Sequence, residues 1–289
     1  MASSRKWAPY VFVMPFFVLF MLFFAGPILY SMGLSFVKWN GIGAMKAVGL
    51  DNYARLLKDT TFHTALKNTL FFSAVYVVSL VTISTTIALL LSSRLVRFRV
   101  FFRTAYFLPV TMALSVVAMV FDLIYSRDIG LLNLILGTLH LPADIAWLHS
   151  TNTAMWAILG MRLWRASGYY AVIILSGLLQ IPREVYEVAM IDGASTLQQV
   201  RYVTLPLLRP VLGVVVVMCT IVALKLFDEP WILNKGGPSN STLTGLIHMY
   251  RNGFLFLKLG YGAAISYALS AIMFVFSLLE VRATQGSEA

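Results

Sequence analysis

Five ionisable side chains stand inside otherwise apolar stretches of this sequence. Arg162 and Arg165 lie in AMWAILGMRLWRASGYYAVIIL, and Lys225, Asp228 and Glu229 lie in VVVVMCTIVALKLFDEPWIL. Arg162 and Arg165 are three apart and share a helix face, whereas Lys225 and Glu229, four apart, are spaced to pair directly on a continuous helix. A cation at the centre of a membrane helix costs about 2.5–3.5 kcal/mol on insertion scales, so three unpaired ones would cost about 8–10 kcal/mol. They must therefore face the protein interior, a wet cavity or one another. Two chemistries follow: ion pairing that packs helices together, or a polar lining for a solute path. Asp228 and Glu229 also fit the outer interface, just before Pro230 and Trp231. Catalysis is not indicated, because no span clusters Asp, His or Ser. His63, His140, His149 and His248 lack ligand spacing, and the single cysteine, Cys219, excludes an internal disulfide and a thiolate metal cluster. No catalytic residue and no metal site are expected.

The surrounding composition sets the class. The 289 residues are 59% hydrophobic and 12% charged, with mean hydropathy +0.81, and a soluble domain would carry about twice that charge. The net charge of +10 does not indicate nucleic acid, because the basic residues are scattered through interhelical loops. In a membrane protein such an excess reflects loop orientation and contact with anionic headgroups.

Six membrane spans are expected, at about 9–35, 68–92, 105–125, 152–179, 206–233 and 260–280, within one transmembrane domain over 1–289. Helices are required because backbone polar groups in lipid must be satisfied within their own segment. The first run is too long for a signal-peptide core and lacks a small-x-small cleavage site, so it reads as a span. It is interrupted by Pro15 and Gly26-Pro27, and the third span is entered through FLP at 107–109. Basic residues nearly balance between the two sides, but the dense arginine loop 94–103 leans inside, which puts both termini in the cytoplasm. Segments 37–66 and 126–151 read as short helices at the outer membrane surface. Gly262, Ser266 and Ser270 in the last span form a small-residue face suited to close helix packing.

Between spans four and five the chain leaves the apolar register with EVYEVAMIDGAST, residues 184–196. Pro182 suits a first helical position, and Glu184 and Glu187 fall where a helix dipole favours negative charge. Asp192-Gly193 ends that helix, with glycine free to take the left-handed cap. Ser195, with Gln198 three residues on, reads as a capping box opening a second helix. A plain connection needs about five residues, yet this loop occupies about 182–205. It is expected to be a docking element outside the bilayer.

These residues resemble the cytoplasmic EAA loop of permease subunits of binding-protein-dependent ABC importers. Glu187, Ala189, Asp192, Gly193, Ala194, Leu205 and Pro206 match that pattern, while Val188 replaces its usual second alanine. GLDNYARLL (49–57) and FDEPWILNKGGPSNST (227–242) are similar to segments of the carbohydrate-uptake, maltose/glycerol-phosphate permease-like subgroup, with Asn234 in place of a usual threonine. The resemblance implies an all-α polytopic type I importer fold with six spans in the bacterial cytoplasmic membrane. It implies an ATPase-coupling role for Glu187, Ala189, Asp192, Gly193 and Ala194. It also implies a substrate pathway lined by Arg165, Ala166, Tyr169, Cys219, Val222, Ala223 and Leu226, although the span-five positions are nearly all apolar here. Implied partners are a second related permease subunit, two ATPase subunits, an extracytoplasmic solute-binding protein and membrane lipid, with no nucleic acid. This chain has no phosphate-binding loop, so no cofactor is expected on it, and ATP and Mg belong to the ATPase. The implied cargo is a sugar or sugar-like solute. Arg162, Arg165 and Lys225 keep open an anionic one, such as a sugar or polyol phosphate or a uronate oligomer. An ion-coupled secondary transporter would give no reason for the capped loop.

Overall fold

Long helices carry most of this chain, as lipid requires. In the computed structural model, which describes residues 4–93 and 96–285, three helices are long and apolar enough to cross a membrane: Tyr10–Leu34, Thr60–Ser92 and Leu259–Arg282. Two bent helix pairs raise that number to at most five. The predicted fourth span corresponds to the 25-residue helix Ala154–Leu178, about 37 Å long at 1.5 Å per residue. Its two arginines keep it outside that apolar set. Arg94, part of the predicted inside-facing loop, lies outside the described residues.

In chain order the helices are α1 (residues 4–34), α2 (Asp51–Lys58), α3 (Thr60–Ser92), α4 (Arg99–Thr111) and α5 (Leu114–Ile124). They continue with α6 (Leu131–Thr138), α7 (Ala154–Leu178), α8 (Arg183–Ile191), α9 (Thr196–Leu207) and α10 (Arg209–Leu224). Last come α11 (Asp228–Asn234), α12 (Gly245–Tyr250) and α13 (Leu259–Gln285). Strands β1 (Val37–Lys38) and β2 (Lys46–Ala47) form a small antiparallel hairpin between α1 and α2. The sequence did not predict it, because two-residue strands are too short to show an alternating pattern.

The chain divides into two compact units, Met1–Phe62 with His248–Ala271, and His63–Ile247 with Ile272–Ala289. In the first, the expected interruption at Gly26-Pro27 is a widened π-type turn over Met21–Ala25 rather than a break. Pro27 has no N–H for the normal helical bond, and the wider turn absorbs its ring. Asn52 is buried and donates to the Ser35 and Val37 carbonyls at 2.8 and 3.0 Å, groups the end of α1 leaves open. Gly262 packs on the turn Arg251–Leu255: a Cβ there would stand 2.7 Å from the Gly253 Cα. The predicted small-residue face is used at that point, whereas Ser270 is exposed.

The second unit is built around α7, fifteen of whose residues are buried. Phe72, Tyr76 and Leu80 of α3, Ile158, Met161 and Ile174 of α7, and Val215 and Cys219 of α10 share one core. Buried polar groups close on one another: Ser84 Oγ donates to the Ser167 carbonyl at 3.0 Å, and Tyr125 Oη donates to the Ala157 carbonyl at 2.8 Å. Two predicted spans are not straight. The third is split into α4 and α5, bent by 99°, with extended backbone at Met112 and Ala113 rather than at Pro109. The fifth bends by 68° between α9 and α10, then ends at Lys225 and restarts as α11.

Candidate coupling surface and intramembrane ion pair

The helix ends at 182–205 are built from local chemistry. Pro182 stands at the N-cap of α8, one residue before its predicted place. Gly193 has φ +77° and donates its N–H to the Met190 carbonyl at 3.1 Å, closing the helix. Ser195 and Gln198 form both halves of the capping box, at 3.4 and 2.7 Å. One tie was not foreseen. The hydroxyls of Tyr186 on α8 and Thr204 on α9 lie 3.1 Å apart and pin the two helices together. Glu187, Asp192 and Gly193 are exposed, and Ala189 and Ala194 are half-buried. Val185, Val188, Met190, Ile191 and Leu197 are also exposed, so the knuckle presents an apolar surface with acidic residues among it. Apolar side chains in a capped, charged loop mark a protein contact.

The buried charges pair differently from the spacing. Because α10 ends at Lys225, that residue and Glu229 no longer share a helix; Lys225 is exposed. Glu229 instead accepts from Arg162 Nη1 at 3.0 Å, with both side chains only 8% exposed. Arg162 Nη2 donates to the Val222 carbonyl at 2.8 Å. The guanidinium also lies 5.1 Å from the Tyr76 ring centroid and 5.8 Å from that of Phe72. This pair joins α7 to both sides of the break in span five. Asp228 is exposed.

Arg165, Ala166 and Tyr169 are half-buried on α7, and Val222 is exposed on α10. Arg165 Nη2 reaches the Val110 and Met112 carbonyls at 3.5 and 3.4 Å, at the bend between α4 and α5. The remaining expected pathway residues, Cys219, Ala223 and Leu226, are 0% exposed in the core. They offer no surface to a solute in this conformation. Asn234, the departure from the subgroup pattern, organises its turn: its Nδ2 donates to the Gly237 carbonyl at 2.7 Å, and its Oδ1 accepts from Thr242 at 2.8 Å.

A polar cluster that the sequence reading missed sits in the first unit. Asp59 Oδ2 accepts from Tyr261 Oη at 2.6 Å and lies 3.0 Å from His248 Nε2, while Oδ1 caps α3 through the Thr61 N–H. Burial alone would raise the Asp59 carboxyl, but donors from Tyr261, Phe62 and His248 outweigh it and hold the carboxyl below its usual range. Burial also lowers the His248 imidazole below 6.5, against the pull of Asp59. Both depressed groups stabilise the fold at neutral pH. The histidine contribution fades as pH falls through 6.5, where the unfolded chain takes the proton, and the Asp59 contribution fades at lower pH. Thermal unfolding in detergent should therefore drop between about pH 7.5 and pH 5, and His248→Gln should flatten that slope. An unchanged slope would dissociate the cluster from the effect.

Comparison with known proteins agrees with this architecture. The family model for binding-protein-dependent transport system inner membrane components matches residues 96–282. The probable ABC transporter permease protein YurN of Bacillus subtilis is 34% identical over 285 residues, covering 98% of this chain and 97% of its own. The arabinooligosaccharides transport system permease protein AraP of the same organism is 34% identical, over 96% of this chain and 89% of its own. The lactose transport system permease protein LacF of Rhizobium radiobacter is 33% identical, over 96% and 93%. In fold, the chain is similar to a subunit of a bacterial alginate ABC transporter crystallised with an alginate pentasaccharide-bound periplasmic protein. The TM-score is 0.83 at 21% identity, over 96% of this chain and 93% of that one. The chain belongs to the family of binding-protein-dependent transport system inner membrane components, as a multi-pass permease subunit of an ABC importer whose ATP hydrolysis is performed by a separate subunit.

Proposed function

We propose that this subunit forms half of the translocation pathway for a sugar or sugar-like solute. It pairs with a second related permease subunit, stands on two ATPase subunits that carry ATP and Mg, and receives solute from an extracytoplasmic binding protein. The observation that carries the coupling assignment is the solvent-facing apolar surface of α8 and α9, held by a left-handed glycine turn and a full capping box. Glu187 and Asp192 supply charge to the ATPase contact, Ala189 and Ala194 keep the surface low, and Gly193 makes the turn. The six-span arrangement in the bacterial cytoplasmic membrane, both termini inside, puts this knuckle on the ATPase side.

Saccharide cargo is supported by the relatives with arabinooligosaccharide and lactose systems in their names. Half-exposed Tyr169 and Arg165, with Ala166 and Val222, supply an aromatic face, a cation and space. The anionic-solute reading loses one of its three cations, because Arg162 is neutralised by Glu229. ATPase activity of the reconstituted complex, with its binding protein, should rise with one class of neutral oligosaccharide. Stimulation only by acidic sugars would overturn the neutral assignment, and ATP-independent uptake would overturn the importer.

A further inference from the structure

The hairpin between α1 and α2 places two lysines directly opposite each other. Lys38 on β1 is the register partner of Lys46 on β2. Like charges facing across an antiparallel pair destabilise it, and the hairpin has only two residues per strand to offset this. Among the described residues, neither lysine has a carboxylate within salt-bridge distance. The hairpin is nevertheless fixed in place: Val48 N donates to the Phe36 carbonyl at 3.0 Å, and Leu259 N donates to the Trp39 carbonyl at 3.1 Å. A rule of pairing is broken in a well-tethered element, which marks a function in preference to a packing accident.

The same two lysines line a cleft of about 940 Å³ with Arg55, Lys258, Trp39 and Tyr261. Its lining contains four cations and one carboxylate, Asp51. Arg55 is held over the Tyr261 ring, 4.3 Å from its centroid. The cleft lies where two bilayer-length apolar helices terminate, α1 at Leu34 and α13 at Leu259. Exposed Leu257 lines it, and exposed Ile42, Met45 and Phe256 lie within two residues of its lining in the chain. Lysine, arginine and tryptophan at such a boundary, with apolar side chains alongside, fit the headgroup layer of a membrane. An acidic protein face would satisfy the cations but leave those four apolar side chains in water.

We propose that this cleft holds the phosphate of an anionic phospholipid headgroup, which lies between Lys38 and Lys46 and relieves their repulsion, with Arg55 and Lys258 completing the anion site. Each basic residue near a charged membrane surface contributes about fivefold in affinity, so the double variant Lys38→Gln with Lys46→Gln should bind such a lipid about 25-fold less well.

The test uses the assembled importer in nanodiscs of phosphatidylcholine alone or with added phosphatidylglycerol. Phosphatidylglycerol retained after detergent extraction is counted by native mass spectrometry, and thermal unfolding is followed in parallel. Wild type should keep phosphatidylglycerol and gain thermal stability from it, and the double variant should do neither. In phosphatidylcholine alone the variant should be at least as stable as wild type, because the lysine repulsion is gone; this also shows that it folds. Equal phosphatidylglycerol retention by both proteins would overturn the proposal. An equal thermal gain from inorganic phosphate would reassign the cleft to free anions. A variant that keeps phosphatidylglycerol but loses affinity for the binding protein would reassign it to an acidic protein face.

Discussion

Glu229→Ala should destabilise the folded subunit by about 3 kcal/mol, the lower end of the range for removing one member of a buried ion pair. The cost comes from the charge left behind. Arg162 would keep its bond to the Val222 carbonyl and its position over Tyr76 and Phe72, but among the described residues no carboxylate would remain within salt-bridge distance of a guanidinium that is 8% exposed. The lower end applies because a chain unfolded within the bilayer finds other polar partners. Arg162→Lys should also lose stability, since one guanidinium now reaches Glu229 through Nη1 and Val222 through Nη2, a fork that an ammonium cannot reproduce. Combining Arg162→Met with Glu229→Leu should recover most of the loss, because an apolar pair of similar volume needs no compensation. Thermal unfolding of the purified subunit in detergent, with membrane yield alongside, measures all three. Wild-type stability in Glu229→Ala would mean that water reaches the pair. The double variant also separates stability from transport: a stable but inactive protein would show that transport needs the pair for more than its contribution to stability.

That pair shows where the sequence stops being informative. The cost of intramembrane charge already required Arg162, Arg165 and Lys225 to be compensated, but the partners depended on whether one helix ran through Lys225. Spacing of four residues pairs Lys225 with Glu229 only on an unbroken helix, and the break turned Glu229 toward α7. The bend in the third span was equally hidden. FLP at 107–109 marks the entry to that span in the sequence, yet the helix continues through Pro109 and opens at Met112 and Ala113, beside the Val110 and Met112 carbonyls that Arg165 takes up. Burial of Cys219, Ala223 and Leu226 is likewise a product of packing, invisible to a comparison by position. The helix ends of the knuckle were legible because they are local: a glycine, a serine and a glutamine within six residues determine them, whereas the Tyr186–Thr204 tie between the helices spans eighteen residues and was not.

Gly193→Pro should abolish solute-stimulated ATP-driven uptake while leaving the subunit inserted and folded. At φ +77° a proline is excluded, because its ring fixes φ near −65°, and it would also remove the N–H that Gly193 donates to Met190. The turn must then re-form elsewhere, which moves α9 relative to α8. No core residue depends on this, since neither helix of the knuckle buries a side chain before Thr204, so global stability should hardly move. Gly193→Ala is the graded control. No atom lies within 4 Å of where its Cβ would stand, so only the left-handed backbone is penalised, by about 1–2 kcal/mol. It should leave uptake measurable but reduced. Transport and coupled ATPase activity in proteoliposomes separate the outcomes. If force from nucleotide hydrolysis enters through this knuckle, proline uncouples the two activities and alanine only weakens them. If proline transports normally, the contact with the ATPase lies elsewhere on the chain.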